Sequence, residues 1–200
     1  MLIRLAFCSC DDLPEDLAAA ISALHFGEGE LTRLASIRHP AAKRERLAAL
    51  CALSSLCGDA AWTVTRDGAG KPRFLEAGAP HFNLSHAGGL AVAALCEDAS
   101  VGVDLELPRD AAKESAVAAR YFTPSEQAIF AARGEFCALW TRKEACAKCL
   151  GVPLSSVLSR EFSLAVRTYR VGDATLSLAA ECDFEVEVLN DSYVIQEVLL

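Results

Sequence analysis

Asp104 and Glu106 stand two residues apart in the alternating run Val101-Gly102-Val103-Asp104-Leu105-Glu106. That spacing predicts a strand with both carboxyls on one face and Val101, Val103 and Leu105 on the other. Paired carboxylates repel unless a cation lies between them, and magnesium, a hard ion usually shared with a substrate phosphate, meets that need. A solvated acidic strand face explains the pair too, and taken alone is the simpler account. Farther on, Trp140, Glu144 and Lys148 recur every four residues, which stacks them on one face of a helix. Glu144 would be a third oxygen ligand, with Lys148 beside it to meet a phosphate; an ordinary Glu–Lys pair next to a packed Trp is the structural alternative.

Three other segments carry polar groups at suggestive spacing. Thr123-Pro124-Ser125-Glu126 fits a capping box, with Thr123 at the N-cap, proline at N1 and Glu126 at N3; it would also serve to bring Glu126 to a reacting hydroxyl. Asn83-Leu84-Ser85-His86 ends a strand before a glycine turn, where Ser85 and His86 would meet a phosphate or be satisfied locally. No acid stands at motif spacing from them, so a Ser–His hydrolase fits poorly. Gly68-Ala69-Gly70-Lys71-Pro72 lacks the Gly-Lys-Ser/Thr ending and the following helix of a phosphate-binding P-loop.

The elements that must position these groups are legible from periodicity and punctuation. Strands are expected at Leu2 to Cys8, Trp62 to Arg66, Phe82 to Ser85, Leu90 to Cys96 and Val101 to Leu107. Helices are expected at Leu13 to Leu24, Ala41 to Cys57, Ala111 to Arg120, Pro124 to Arg133 and Phe136 to Leu150, the last stopped by Gly151. The tail, with Phe162 to Val166, Thr175 to Ala179, Phe184 to Leu189 and Tyr193 to Val198, reads as a β-meander. Strands and helices in both halves give an α+β class, with halves 1–98 and 99–200 meeting near Asp98.

Composition narrows the function. With 200 residues, 52% of them hydrophobic, the chain is no disordered segment. A formal charge of −8 argues against bulk nucleic-acid binding, so an anionic ligand needs a local basic pocket. No apolar run approaches the length of a membrane span, and the acidic stretch after Phe7 is wrong for a signal peptide. Nine cysteines scattered through apolar segments read as reduced thiols in a cytoplasmic protein. Cys146 and Cys149 form a CxxC without a second pair at zinc-site spacing.

Taken in order, the motifs resemble the 4′-phosphopantetheinyl transferase superfamily, in its two-half class typified by the surfactin-synthetase-activating enzyme. The resemblance is carried by Gly70-Lys71-Pro72, Phe82 to His86, Val101 to Glu106, Phe122 to Glu126, and Trp140 to Lys148. It implies a fold of two similar α+β halves related by a pseudo-twofold axis, acting as a monomer with its site in the cleft between them. It implies transfer of 4′-phosphopantetheine from coenzyme A to a serine of an apo acyl- or peptidyl-carrier protein, with release of 3′,5′-ADP. By the same resemblance Asp104, Glu106 and Glu144 are the Mg²⁺ ligands, and Ser85 and His86 are phosphate contacts. Lys71 reads the 3′-phosphate, Lys148 lies near the pyrophosphate, and Glu126 or Glu144 aids deprotonation of the serine. Among the basic residues from Arg33 to Arg46, Arg46 is the preferred coenzyme A contact. One departure is Val152-Pro153-Leu154, where the family often has Lys-Gly-Leu, so one positive charge is missing. The competing accounts are another magnesium-dependent phosphate hydrolase, and an inactive scaffold of the same fold.

Overall fold

The computed structural model of the protein describes residues 1–160, 163–190 and 192–200. The first part of the chain runs β1 (Leu2–Ser9), α1 (Leu17–Ala20), β2 (Leu24–Phe26), α2 (Glu28–Ser36) and α3 (Pro40–Cys57). It continues with β3 (Trp62–Arg66), β4 (Pro72–Phe74), β5 (His81–Ala87), β6 (Leu90–Cys96) and β7 (Val101–Glu106). Then come α4 (Ala111–Tyr121), α5 (Pro124–Arg133) and α6 (Phe136–Leu150), before β8 (Ala165–Val171), β9 (Ala174–Ala180), β10 (Glu185–Val188) and β11 (Gln196–Glu197).

Alternating side chains build two four-stranded sheets, ordered β10-β1-β6-β5 and β11-β8-β9-β7. Their apolar faces meet: Ile3, Leu5 and Val92 of the first pack with Val103, Leu105 and Leu176 of the second in one buried core. The outer face of the first sheet is covered by α3, whose Leu50 and Leu53 pack with Ala93 and Leu95. The outer face of the second is covered by α6, whose Ala145, Cys146 and Cys149 pack with Ala179. The result is a helix–sheet–sheet–helix stack of class α+β, with a small sheet β2-β3-β4 beside α3. Cys146 and Cys149 are thus core residues, and no helix among the described residues is long and apolar enough to cross a membrane.

Most expected elements form within a residue or two of their expected ends. The helix expected over Leu13 to Leu24 does not: Asp16 caps a single turn, and Leu24–Phe26 pairs in parallel with β3 instead. Local apolar pattern yields there to tertiary pairing. The tail is not a simple meander either, because β10 leaves the second sheet and pairs in parallel with β1. The strand expected over Phe162 to Val166 starts later and runs Ala165–Val171, while Phe162 itself lies outside the described residues.

Gly102 sets how closely α6 approaches β7. A Cβ placed there would lie 1.9 Å from the Ala145 carbonyl oxygen and 2.5 Å from the Cys149 nitrogen, both backbone atoms of α6. No rotamer change relieves such a contact, so Gly102→Ala should push the helix off the strand. The expected loss of stability is at or above the ~1–3 kcal/mol typical of overpacked cores, read as a lower urea midpoint. Gly68→Ala, whose Cβ meets nothing within 4 Å, should stay within roughly ±0.5 kcal/mol of the parent.

Candidate active site

The cleft forms where two sheet edges run side by side. β5 ends the first sheet and β7 ends the second, and no backbone ladder joins them. The outward-facing backbone groups of β7 are met by side chains instead. Val103 N donates to Asn83 Oδ1 and Leu105 N to Ser85 Oγ, each at 3.1 Å. Val103 O accepts from Lys148 Nζ at 3.1 Å, and Val101 O from Lys71 Nζ at 3.5 Å. Asn83 and Ser85, at i and i+2 on β5, project from one face of that strand and so reach alternate amides of β7.

Lys148 is the centre of this seam. Its ammonium donates to Asp104 Oδ1 (2.6 Å), Val103 O (3.1 Å) and Ser85 Oγ (3.2 Å), which uses all three of its donors. The Ser85 hydroxyl is equally full: it donates to Asp104 Oδ1 at 3.1 Å while accepting from Leu105 N and Lys148. Ser85 therefore fixes Asp104 and the β7 edge in this structure, and contact with a phosphate would require it to exchange a partner. Asp104 is 4% exposed, and its second oxygen, Oδ2, is buried with no partner among the described residues. A buried carboxylate oxygen without a donor is costly.

The three carboxyls expected to bind metal form one electrostatic cluster. Burial raises the Asp104 carboxyl above its ordinary range, against the pull of Lys148 and Ser85. Burial and the charge of Asp104 raise Glu106, opposed by Arg109, which bonds Glu106 Oε1. Burial and Asp104 raise Glu144 as well, opposed by Lys148 and Arg109. Three carboxyls thus face two cations, a deficit that a divalent ion would fill. Among the described residues no three His, Cys, Asp or Glu side chains stand at metal-cage spacing. Magnesium normally takes one or two carboxylates and keeps several waters, so the unpartnered Asp104 Oδ2 is the kind of donor it uses.

Beside this cluster opens a cleft of about 490 Å³ lined by Arg46, Lys71, Glu144 and Lys148, with Leu84, Val152 and Leu154 on its apolar wall. It draws on both parts of the chain and its volume suits a small-molecule ligand. Lys71 is held by Ser100 Oγ (2.9 Å) and the Cys149 carbonyl (3.2 Å), so it also tethers the last turn of α6. Arg46 lies against Glu30, and His86 turns toward α3, its Nδ1 3.2 Å from Glu45 Oε2.

Glu126 is not brought to this group. Its Oε2 accepts from Thr123 N at 2.7 Å and Thr123 Oγ1 accepts from Glu126 N at 3.3 Å, which completes the expected capping box. Its Oε1 lies 2.8 Å from the buried Lys143 Nζ, an ion pair without the alignment of a directed hydrogen bond. Both line a separate cavity of about 250 Å³ with Arg142 and Cys146, on a different face of α6 from Trp140, Glu144 and Lys148. Two contributors carried no local sequence signal: Glu30 and Arg66 meet across 36 positions. The edge-sealing role of Asn83 was equally hidden, because it depends on a strand 20 residues away.

Residues 100–197 match the model of the 4′-phosphopantetheinyl transferase superfamily. The chain is 35% identical over 136 residues to the 4′-phosphopantetheinyl transferase psf-1 of Bacillus pumilus, covering 64% of this chain and 56% of that protein. It is 35% identical over 119 residues to the 4′-phosphopantetheinyl transferase AcpT of Salmonella typhimurium, covering 55% of this chain and 62% of that one. The chain therefore spans little more than half the length of these relatives. The family match lies on the strand and helix that carry Asp104, Glu106, Glu144 and Lys148, so the part of the chain that holds the carboxyl cluster is the part similar to the 4′-phosphopantetheinyl transferase superfamily.

Proposed function

We propose that this chain transfers the 4′-phosphopantetheine group of coenzyme A to a serine hydroxyl of an apo acyl- or peptidyl-carrier protein, releasing 3′,5′-ADP. The observation that carries this reading is the junction of a cation-deficient carboxyl cluster, holding the unpartnered Asp104 Oδ2, with a cleft lined by Arg46, Lys71 and Lys148. Phosphoryl-type transfer asks for positioning and charge neutralisation more than for covalent catalysis. Arg46 and Lys71 would hold the phosphate end of coenzyme A, and Lys148 would exchange one of its internal partners for the pyrophosphate. Asp104, Glu106 and Glu144 would hold Mg²⁺, which when bound neutralises phosphate charge. His86, at the end of β5, is a further candidate contact to the phosphates.

Glu144 is favoured over Glu126 as the group that receives the serine proton. It lines the cleft, whereas both oxygens of Glu126 are engaged elsewhere. Its raised affinity for a proton suits a base better than an ordinary carboxylate would.

Incubation with coenzyme A, Mg²⁺ and a panel of apo-carrier proteins tests the activity. A carrier mass gain of one phosphopantetheine is expected; phosphate release without carrier modification would indicate a hydrolase, and no reaction with any substrate a silent scaffold. Glu144→Gln should lower turnover by roughly 10²–10⁴-fold with the fold kept. Glu126→Gln should do the reverse: turnover holds, while stability falls by roughly 1–3 kcal/mol because Lys143 loses its counter-charge. A large turnover loss in folded Glu126→Gln would reverse the two assignments.

The carboxyl cluster also predicts how Mg²⁺ acts on stability. Carboxyls whose affinity for protons is raised by folding give their full stabilisation below their unfolded values and lose it as pH rises through the folded ones. Mg²⁺ would replace the departing protons, so its effect on Tm should grow from acidic to neutral pH. Asp104→Asn should abolish that Mg²⁺-dependent rise, and an undiminished rise would place the ion elsewhere.

A further inference from the structure

Glu30, on α2, is 4% exposed and joins separate segments through one carboxylate. Oε1 accepts from Arg46 Nη2 at 2.6 Å and from Arg66 Nη2 at 3.0 Å, and Oε2 accepts from Arg66 Nε at 2.8 Å. Arg66 Nη1 then donates to the Gly70 carbonyl at 2.7 Å, gripping the loop that carries Lys71. Burial opposes the charged carboxylate, but the hydrogen bonds from Arg66 and Arg46 outweigh it and hold Glu30 below the ordinary carboxylate range.

This network has a direction. Each guanidinium nitrogen of Arg66, Nε, Nη1 and Nη2, makes a bond within the protein, and among the described residues that line the cleft Arg66 does not appear. Arg46 differs: among the described residues Glu30 Oε1 is its one hydrogen-bond acceptor, and its side chain lines the cleft. Two guanidiniums on one carboxylate leave a net positive charge at that end of the cleft, and Lys71 adds to it. Without the carboxylate the two guanidiniums would repel each other, and the fork of Arg46 would lose its fixed orientation.

We propose that Glu30 is a positioning residue for phosphate recognition: it clamps Arg46 and Arg66 together so that the remaining N–H groups of Arg46 face a terminal phosphomonoester at the end of the cleft. The inference rests on the reading of Arg46 as a coenzyme A contact. The clamp trades some positive charge for orientation, and a preorganised fork binds a phosphate more tightly than a mobile one. A carboxylate present only to offset charge behaves in the opposite way, since removing it would leave the cleft more positive and tighten anion binding. The sign of the effect therefore separates the two roles.

The test is equilibrium binding of 3′,5′-ADP and of 5′-ADP, which lacks the 3′-phosphate, to the parent and to Glu30→Gln, Glu30→Ala and Arg46→Met. Glutamine keeps the size of Glu30 but accepts from one guanidinium and presents an N–H to the other, so it decides the matter if the alanine variant fails to fold. Each Glu30 variant should bind 3′,5′-ADP roughly tenfold more weakly, with 5′-ADP binding changed by less than about twofold. In turnover, Glu30→Gln should raise KM for coenzyme A with kcat kept. Unchanged or tighter 3′,5′-ADP binding in folded Glu30→Gln overturns the positioning role. Arg46→Met that binds 3′,5′-ADP as well as the parent instead removes the underlying reading of Arg46.

Discussion

The unpaired edge of β7 is the constraint from which the site follows. A strand at a sheet edge presents a row of N–H and C=O groups that must find partners, and here a second edge, β5, lies alongside without forming a ladder. Asn83 and Ser85 take the amides, and Lys148 and Lys71 take the carbonyls. Because side chains rather than backbone close the gap, the two edges stay far enough apart for polar groups to gather between them. The same bonds that join the two sheets therefore create the place where an anionic substrate and a cation would sit.

Lys148 shows how closely stability and chemistry are coupled in that seam. Its ammonium seals Val103 O, orders Ser85 and neutralises one oxygen of Asp104. Burial, joined at Glu106 and Glu144 by the charge of Asp104, still outweighs this cation, so all three carboxyls bind protons more readily than usual. A fully balanced cluster would be more stable and would have no use for a metal ion. Retained charge imbalance at a site is a common signature of binding chemistry, and the orphaned Asp104 Oδ2 gives it a location.

Backbone proximity supplies the remaining condition. Gly102 lets α6 lie directly on β7, and this brings Glu144 and Lys148 down onto the strand face that carries Asp104 and Glu106. Lys71, bonded to Ser100 and to the Cys149 carbonyl in the last turn of α6, ties that helix to the cleft loop from the other side. Farther along the cleft, Arg66, itself held by Glu30, donates to the Gly70 carbonyl, so the floor of the cleft is fixed at both ends by charge-assisted hydrogen bonds.

By itself the sequence determined the local facts. Alternation in Val101 to Glu106 put two carboxyls on one strand face, the four-residue spacing of Trp140, Glu144 and Lys148 put them on one helix face, and Thr123 to Glu126 spelled out a helix cap. These are legible because side-chain direction in a strand or helix depends on near neighbours alone. The tertiary structure decided what such faces meet. It turned Ser85 toward Asp104, set Glu126 against Lys143 on a separate flank of α6, and drew Leu24–Phe26 out of a helical pattern to pair with β3. It also returned β10 to the first sheet and joined Glu30 to Arg46 and Arg66. Partners separated by tens of residues leave no periodicity in the chain, since what selects them is the burial of unpaired charge and backbone that exists only once the sheets have packed.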